Sequence, residues 1–197
     1  MASQGLLLVV SGPSGAGKGT ICKELRAQVP EIQYSVSATT RSPRSGEIDG
    51  QHYFFVSKEQ FEDMIANNGL LEWAKVYSNY YGTPIDAVRE SIDRGQDIIL
   101  EIDIQGALQI KEKFPQGIFI FVAPPSLSEL RRRIVTRGTD APEKIEERMN
   151  CTQEELTHIP EYDYIVVNDE LEQAVAKVKA IIVAEKCKPS RTEVHIP

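Results

Sequence analysis

The chain has 197 residues, of which 41% are hydrophobic, and a formal net charge of −7. This length and composition fit one α/β domain with insertions, and the acidic balance argues against a nucleic-acid-binding surface. No membrane-length apolar run, signal-peptide layout, disulfide framework or zinc pattern is present in the sequence, so we expect a cytoplasmic protein without a membrane partner.

The first element is an apolar strand over residues 6–10, which runs into a glycine-rich turn and then a helix. Residues 11–20 read Ser-Gly-Pro-Ser-Gly-Ala-Gly-Lys-Gly-Thr. Strand, glycine turn, Lys18 and helix in this order predict a loop that holds the phosphates of a nucleoside triphosphate. The general pattern places a Mg²⁺-binding hydroxyl directly after the lysine, but here Gly19 stands there and Thr20 follows. We therefore expect Mg²⁺ to be held mainly by phosphates and water.

Further core elements alternate between helix and strand along the chain. Apolar residues at helical spacing, with caps and breakers, predict helices over residues 18–29, 83–95, 105–114 and 171–186. Short apolar runs predict strands over residues 97–102, 117–122 and 164–167. Their lack of alternation is typical of parallel strands covered on both faces. The pattern as a whole predicts a doubly wound parallel sheet.

Two stretches interrupt this alternation. Residues 34–81 contain short alternating runs around a capped helix, which predicts a mixed α+β insertion. Residues 126–159 predict two helices, the first beginning with Ser126 and Glu129 as a capping box and ending at Gly138. We expect a single domain with core segments 1–33, 82–125 and 160–186, these two insertions, and a loose tail over 187–197.

Arginines of the second insertion are a further chemical signal. Arg133 and Arg137 share one helical stripe beside the apolar face, whereas Arg131 and Arg132 suit the negative end of the helix dipole. Phosphoryl transfer needs positive charge on oxygens that gain negative charge. A helical flap that carries guanidiniums supplies this charge and excludes water, so we predict that role for Arg133 and Arg137.

The turn-rich segment 37–47 carries a third signal. Arg41 and Arg44 lie three residues apart in it, and paired guanidiniums grip a phosphate through forked hydrogen bonds. Two arginines near a few tyrosines also occur on ordinary surfaces, so the segment gains its weight only from the wider pattern.

That wider pattern resembles the guanylate kinases. The segments GPSGAGKGT, SATTRSPRSGEIDGQHYFF, YYGTP, LEIDIQGA and YDYIVVND match the family in order, from Gly5 to about Lys186. The family phosphorylates GMP with ATP, and the resemblance implies this activity. It also implies an α/β P-loop kinase core with a doubly wound parallel sheet. It also implies a GMP-binding insertion over 34–81, a helical lid over 126–159, Mg²⁺ with the ATP and dGMP as a further acceptor. The oligomeric state stays open.

The resemblance also implies roles for single residues. The ATP phosphates and adenine would be held by Gly12, Pro13, Ser14, Gly15, Ala16, Gly17, Lys18, Gly19, Thr20 and Asn168. The GMP phosphate would be gripped by Arg41, Arg44, Tyr53 and Tyr81. Guanine would be surrounded by Ser37, Glu72, Thr83 and Asp103. The catalytic cations would be Lys18, Arg133, Arg137 and Arg148.

Physical chemistry favours guanine for Glu72. The guanine edge presents a ring N–H and an amino group side by side, which one carboxylate can accept, whereas adenine has an acceptor at the corresponding ring nitrogen. Asp103 directly follows a buried strand. Three roles are open for it: to contact guanine, to orient Mg²⁺-bound water, or to cap the next helix.

Two other functions are compatible with parts of the pattern. One is a kinase for another nucleoside monophosphate, and the other is a catalytically silent guanylate-kinase-like module that binds phosphopeptides. Lys18 and the lid arginines argue against the silent module, because such modules tend to lose them.

Overall fold

The computed structural model describes residues 5–76, 78–136 and 142–192. The strands within these ranges are β1 (Leu7–Ser11), β2 (Gln33–Tyr34), β3 (Ala38–Thr39), β4 (Phe54–Phe55), β5 (Leu70–Val76), β6 (Asn79–Pro84), β7 (Ile98–Glu101), β8 (Ile118–Ala123) and β9 (Tyr164–Val167). The helices are α1 (Lys18–Gln28), α2 (Lys58–Ala66), α3 (Ile85–Asp93), α4 (Ile104–Lys113), α5 (Leu127–Thr136), α6 (Pro142–Thr157) and α7 (Leu171–Lys186), with a 3₁₀ turn at Ile159–Glu161.

Five strands form a parallel sheet in the order β2-β7-β1-β8-β9. Alternate side chains of the central strand β1 enter two separate clusters, because successive residues of a strand face opposite sides. Leu8 and Val10 pack with residues of α1 and α7. Leu7 and Val9 pack with residues of α3 and α4. Helices thus cover both faces, which confirms the doubly wound parallel core.

The carboxyl ends of the parallel strands meet at one edge of this sheet. β1 continues there into the glycine-rich loop, β7 ends at Glu101 and is followed by Asp103, and β9 is followed by Asn168. Ligands of open α/β sheets bind at this edge, so the topology gathers candidate residues that are far apart in sequence.

Four further strands form a smaller sheet in the order β4-β3-β6-β5, with α2 packed on it through Phe61. The capping box predicted for α2 is confirmed: Gln60 N–H donates to Ser57 Oγ at 3.2 Å, and Gln60 Oε1 accepts from Ser57 N–H at 2.8 Å. The sheet is not coextensive with residues 34–81, because Tyr34 pairs in the large sheet and β6 runs to Pro84.

The two helices expected over residues 126–159 are α5 and α6. Glu129 N–H donates to Ser126 Oγ at 3.1 Å, as in a capping box. The Glu129 carboxylate accepts hydrogen bonds from Arg132 and Arg133, at 2.7 and 2.8 Å, which are not part of a capping box. Gly138, the expected end of α5, lies outside the described residues.

The segment expected to form a loose tail is anchored where it begins. Lys188 and Arg191 lie 2.7 and 3.5 Å from carboxylate oxygens of Glu185, and Arg191 also donates to Gln116 O at 2.9 Å. Residues 193–197 are outside the described part of the chain. None of the helices described here is long and apolar enough to cross a membrane.

Candidate active site

The loop between β1 and α1 has the curled backbone that phosphate binding requires. Gly12, Gly15 and Gly17 have φ angles of 138°, 97° and 93°, in a region where other residues are strained. Gly17 is also the N-cap residue of α1 and offers no side chain to its first turn. The N–H groups of that turn therefore stay available to an anion at the helix N-terminus.

Lys18 folds back over this loop. Its Nζ donates to the carbonyl oxygens of Gly12 at 2.5 Å and Pro13 at 3.1 Å. Burial lowers the pKa of Lys18, and nearby carboxylates, Glu101 foremost, act in the opposite direction. A phosphate in the loop would offer this amine a much stronger partner than two neutral carbonyls.

Glu101, at the end of β7, is a site residue that the sequence reasoning missed. Its carboxylate accepts from Tyr34 Oη–H at 3.2 Å. The same oxygens lie 3.2 and 3.3 Å from where a Cβ on Gly19 would stand. A side chain at position 19 would stand in tight contact with this carboxylate, which would have to move by a few tenths of an ångström to admit it. The available signal was an acid at the carboxyl end of a buried parallel strand.

The residues near the loop fit a hard cation that is held mostly by a nucleotide. Glu101 brings a carboxylate beside Gly19, and Thr20 carries an exposed hydroxyl side chain in the first turn of α1. Mg²⁺ commonly takes one or two carboxylates together with phosphate oxygens and water. The part of the chain described here holds no cluster of three or more potential metal-ligating side chains, so these residues build no cage of their own.

Of the three predicted lid cations, one contacts the phosphate loop and one contacts Asn168, which binds that loop. Arg133 Nη1 donates to Asn168 O at 3.0 Å, and Arg148 Nη1 donates to Ser14 Oγ at the tip of the loop at 3.1 Å. Arg137 lies outside the described residues. The contacts place guanidiniums from both α5 and α6 at the carboxyl edge of the large sheet.

Glu129 binds two of the three arginines of α5. It accepts hydrogen bonds from Arg132 and Arg133, and these bonds lower the pKa of its carboxyl to about 2. Arg131 binds Glu146 of α6 with both terminal nitrogens, at 2.5 and 2.8 Å, so it joins the two helices as a structural residue.

Asn168 closes the other side of the loop. Its Nδ2 donates to Ala16 O at 2.8 Å, and its backbone N–H donates to Ala123 O at 2.8 Å. Beside it lies a groove of about 420 Å³ between the loop, α5 and the start of α7. The groove is lined by Gly15, Gly17, Thr20, Arg132, Arg133, Thr136, Asn168, Asp169 and Leu171.

Glu72 is the most unusual acid of the site. It is only 4% exposed, and it accepts from Oγ1 of the fully buried Thr83 at 2.7 Å. Burial raises its pKa to about 7, although the Thr83 bond acts against this. A carboxylate has about four lone-pair sites, so Glu72 keeps acceptor capacity for two donors of a ligand.

Asp103 is the N-cap residue of α4, where its Oδ1 accepts from Gly106 N–H at 2.8 Å. Of the roles left open for Asp103, helix capping is the one that the geometry displays. A Cβ on Gly106 would stand 2.5 Å from Glu72 Oε2. The first turn of α4 therefore brings the Asp103 and Glu72 carboxylates to one place.

The predicted phosphate-gripping residues form a neighbouring cluster. Both terminal nitrogens of Arg41 donate to the Glu47 carboxylate at 2.9 Å, and its guanidinium lies 5.4 Å from the Tyr53 ring centroid. The Tyr53 and Tyr81 rings are 6.0 Å apart, edge to face. Arg44 joins through its backbone N–H, which donates to Glu47 at 2.6 Å. Glu47 lies in a segment that matches the family, but the sequence analysis predicted no site role for it.

The residues predicted to surround guanine and those predicted to grip the GMP phosphate are linked by the backbone of the smaller sheet. Tyr81 and Thr83 lie two residues apart on β6 and so share a face, about 7 Å from one another along the strand. Glu72 pairs with Thr83 across the sheet. Ser37 directly precedes β3 of the same sheet, and its carbonyl accepts from Phe54 N–H of β4 at 2.9 Å.

Comparisons with known proteins agree with this geometry. A family model described as guanylate kinase matches residues 4–185. A guanylate kinase of Halalkalibacterium halodurans is 61% identical over 95% of this chain and 92% of its own length. One of Caldanaerobacter subterraneus subsp. tengcongensis is 55% identical over 96% and 92%. The crystal structure of guanylate kinase from Anaplasma phagocytophilum is similar with a TM-score of 0.81 and 34% identity, over 96% and 90%. The chain belongs to the guanylate kinase family.

Proposed function

We propose that this chain transfers the γ-phosphoryl group of ATP to GMP, giving ADP and GDP, in the cytoplasm, with Mg²⁺ accompanying the ATP. The observation that carries the proposal is the buried Glu72 carboxylate, which accepts from Thr83 Oγ1 and keeps acceptor capacity for a ligand. The relatives named guanylate kinase support it at 55–61% identity. The roles proposed here are directed at the phosphates and the base and none requires the 2′-hydroxyl, so we propose dGMP as a second acceptor, as the family resemblance implies.

The reaction in this site is a direct in-line transfer. An oxygen of the GMP phosphate, already ionised, forms the new bond to the γ-phosphorus while the bond to the β,γ-bridging oxygen breaks and ADP leaves. No general base is required, so the protein contributes positioning and charge neutralisation.

Each group of residues has a distinct task in this proposal. The loop N–H groups and Lys18 hold the β- and γ-phosphates, while Arg133 and Arg148 approach the transferring group from the lid. Arg41, with Arg44, Tyr53 and Tyr81, grips the acceptor phosphate. Glu72 accepts the guanine ring N–H and amino group. When bound, Mg²⁺ would neutralise phosphate charge, and Glu101 and Asp103 would be the acids that orient its water.

The first test is ADP release from ATP and Mg²⁺ with GMP, dGMP, AMP, UMP or CMP offered separately. Turnover restricted to GMP and dGMP is the expected result. Turnover with another monophosphate would retain the phosphate-loop assignment and reject guanine recognition by Glu72. A folded chain that binds GMP but turns over nothing would instead be a binding module.

Residue roles are separated by three variants. Lys18→Ala, like Arg137→Ala in the part of the lid not described, is expected to lower kcat by about 10²-fold or more while GMP affinity changes little. Glu72→Ala is expected to act chiefly on the KM for GMP. A near-wild-type kcat in Lys18→Ala would contradict the assignment of the loop lysine.

A further inference from the structure

Strand β5, which carries Glu72, lies at the edge of the smaller sheet and is covered there by helix α4 of the large one. The order β4-β3-β6-β5 gives β5 a strand partner on one side only. Peptide groups on the open side of an edge strand need other partners. The pairing with β6 is irregular between Leu70 and Glu72, which places a bulge at Leu71, directly before the acid.

Two side chains of α4 bind the backbone on either side of Glu72. Gln109 Oε1 accepts from Trp73 N–H at 3.3 Å, and its Nε2 donates to Trp73 O at 2.9 Å. Lys113 Nζ donates to Leu71 O, in the bulge, at 2.6 Å. Since Gln109 and Lys113 are four residues apart, they lie on the same face of the helix. One carboxamide and one ammonium thus take the place of a neighbouring strand.

The same helix contacts the carboxylate itself and the core side of the strand. Gly106, in the first turn of α4, lies against Glu72 Oε2. The Leu71 side chain is fully buried in the same cluster as Ala107 and Ile110 of α4. Glu72 is therefore attached to the large sheet through α4, as well as to the smaller sheet through β6.

We propose that Gln109 and Lys113 are positioning residues, which hold the Leu71–Trp73 backbone against α4 and thereby aim the Glu72 carboxylate at guanine. This inference rests on the proposed function, in which Glu72 accepts the guanine donors. It assigns guanine affinity partly to helix α4, through two residues whose described contacts are to the backbone of Leu71 and Trp73.

The charges around Glu72 distinguish a positioning lysine from a merely structural one. Lys113 lowers the pKa of Glu72, Asp103 raises it, and the remaining close polar partner, Thr83, is uncharged. Removal of the Lys113 charge should therefore move the pH at which Glu72 ionises upward, and the pH dependence of GMP affinity with it.

The test compares Gln109→Ala, Gln109→Glu and Lys113→Met with Lys111→Met. Lys111 lies on the same helix but donates to Glu161 O, so it is a matched control. Gln109→Glu keeps the acceptor for Trp73 N–H and loses the donor to Trp73 O. The readouts are the KM for GMP and for ATP, hydrogen exchange of the Trp73 amide, and the fluorescence of Trp73, which is the single tryptophan of the chain.

Gln109→Ala is expected to raise the KM for GMP about tenfold, as the loss of backbone hydrogen bonds implies, and to change the KM for ATP less than twofold. Its Trp73 amide should exchange faster, with Gln109→Glu intermediate and Lys111→Met unchanged. Lys113→Met should weaken GMP binding most near neutral pH and shift its pH midpoint upward, whereas a general structural loss would lower affinity equally at every pH.

Faster Trp73 exchange with an unchanged KM for GMP would overturn the proposal, as would unchanged exchange in Gln109→Ala. A wild-type chain that does not bind GMP would reject the proposed function and this inference with it. That failure is separable from a failure of the contact, because Trp73 exchange would still respond to Gln109→Ala.

Discussion

Glu72 shows, at the scale of one residue, how a binding group is kept at the expense of stability. Its folded-state pKa is about 7, above the ordinary value of 4.5, because burial disfavours the charged form. The folded protein therefore binds this proton more tightly than the unfolded chain does. The sign follows directly: stability conferred by the protonated form is present at low pH and is lost as pH rises through about 7.

Glu72→Gln should consequently stabilise the ligand-free protein at pH 8, by on the order of 1–3 kcal/mol, because the amide keeps an acceptor for Thr83 without a buried charge. The gain should be much smaller at pH 5, where the folded wild-type acid is largely protonated. For the same reason GMP binding should fall at least 100-fold at pH 8 and far less at pH 5. Calorimetric unfolding and GMP titration measure the two effects. Glu62→Gln, at a glutamate whose side chain is 51% exposed, is the control. An equal gain in stability at both pH values would contradict the buried-charge explanation.

At the scale of elements, sequence patterns predicted the helices and strands whose apolar residues recur over several positions. β9 and α7 have the expected bounds, and the start of α2 follows from its capping box. β2 and β3 could not be predicted in this way, because strands of two residues exist only through pairing with distant partners. Glu101 was missed for a related reason, since its neighbour Gly19 is distant in the sequence. Glu47 was missed although its partner Arg41 is only six residues away, because the motif alone does not show that the two side chains pair.

Helix α4 supplies a test of how closely an element must approach its neighbour. Alanine normally stabilises a helix relative to glycine, by roughly 0.5–1 kcal/mol. Gly106→Ala would nevertheless place a Cβ 2.5 Å from Glu72 Oε2, so the carboxylate must move. We expect the KM for GMP to rise at least tenfold while the KM for ATP stays within twofold.

Gly19→Ala is the matched comparison for Gly106→Ala, because its Cβ would meet the Glu101 carboxylate at 3.2 Å on the ATP side. Steady-state kinetics with each substrate varied in turn should show the opposite preference in this variant. If both variants raised the two KM values to the same extent, a general loss of structure would explain them better than two separate carboxylate contacts.

At the scale of the whole molecule, the end of the described chain is tied to a buried acid in α7. Glu185 is 1% exposed and accepts from Tyr164 Oη–H at 2.5 Å. Burial acts to raise its pKa, but Lys188, Tyr164 and Arg191 outweigh burial and hold the pKa below its usual range. Two of these three partners, Lys188 and Arg191, follow α7, so the described residues there pack against the fold.

Removal of residues 188–197 should thus leave the Glu185 carboxylate buried without its cations, and destabilise the protein by on the order of 2 kcal/mol at neutral pH. Removal of residues 193–197 alone keeps Lys188 and Arg191 and should cost little, so it serves as the control. Glu185→Gln in the shorter chain should restore much of the loss, because the amide needs no cation. Denaturant unfolding of the three chains measures the effect, with KM values unchanged in each. If Glu185→Gln restored nothing, the segment would stabilise the fold through contacts other than this charge.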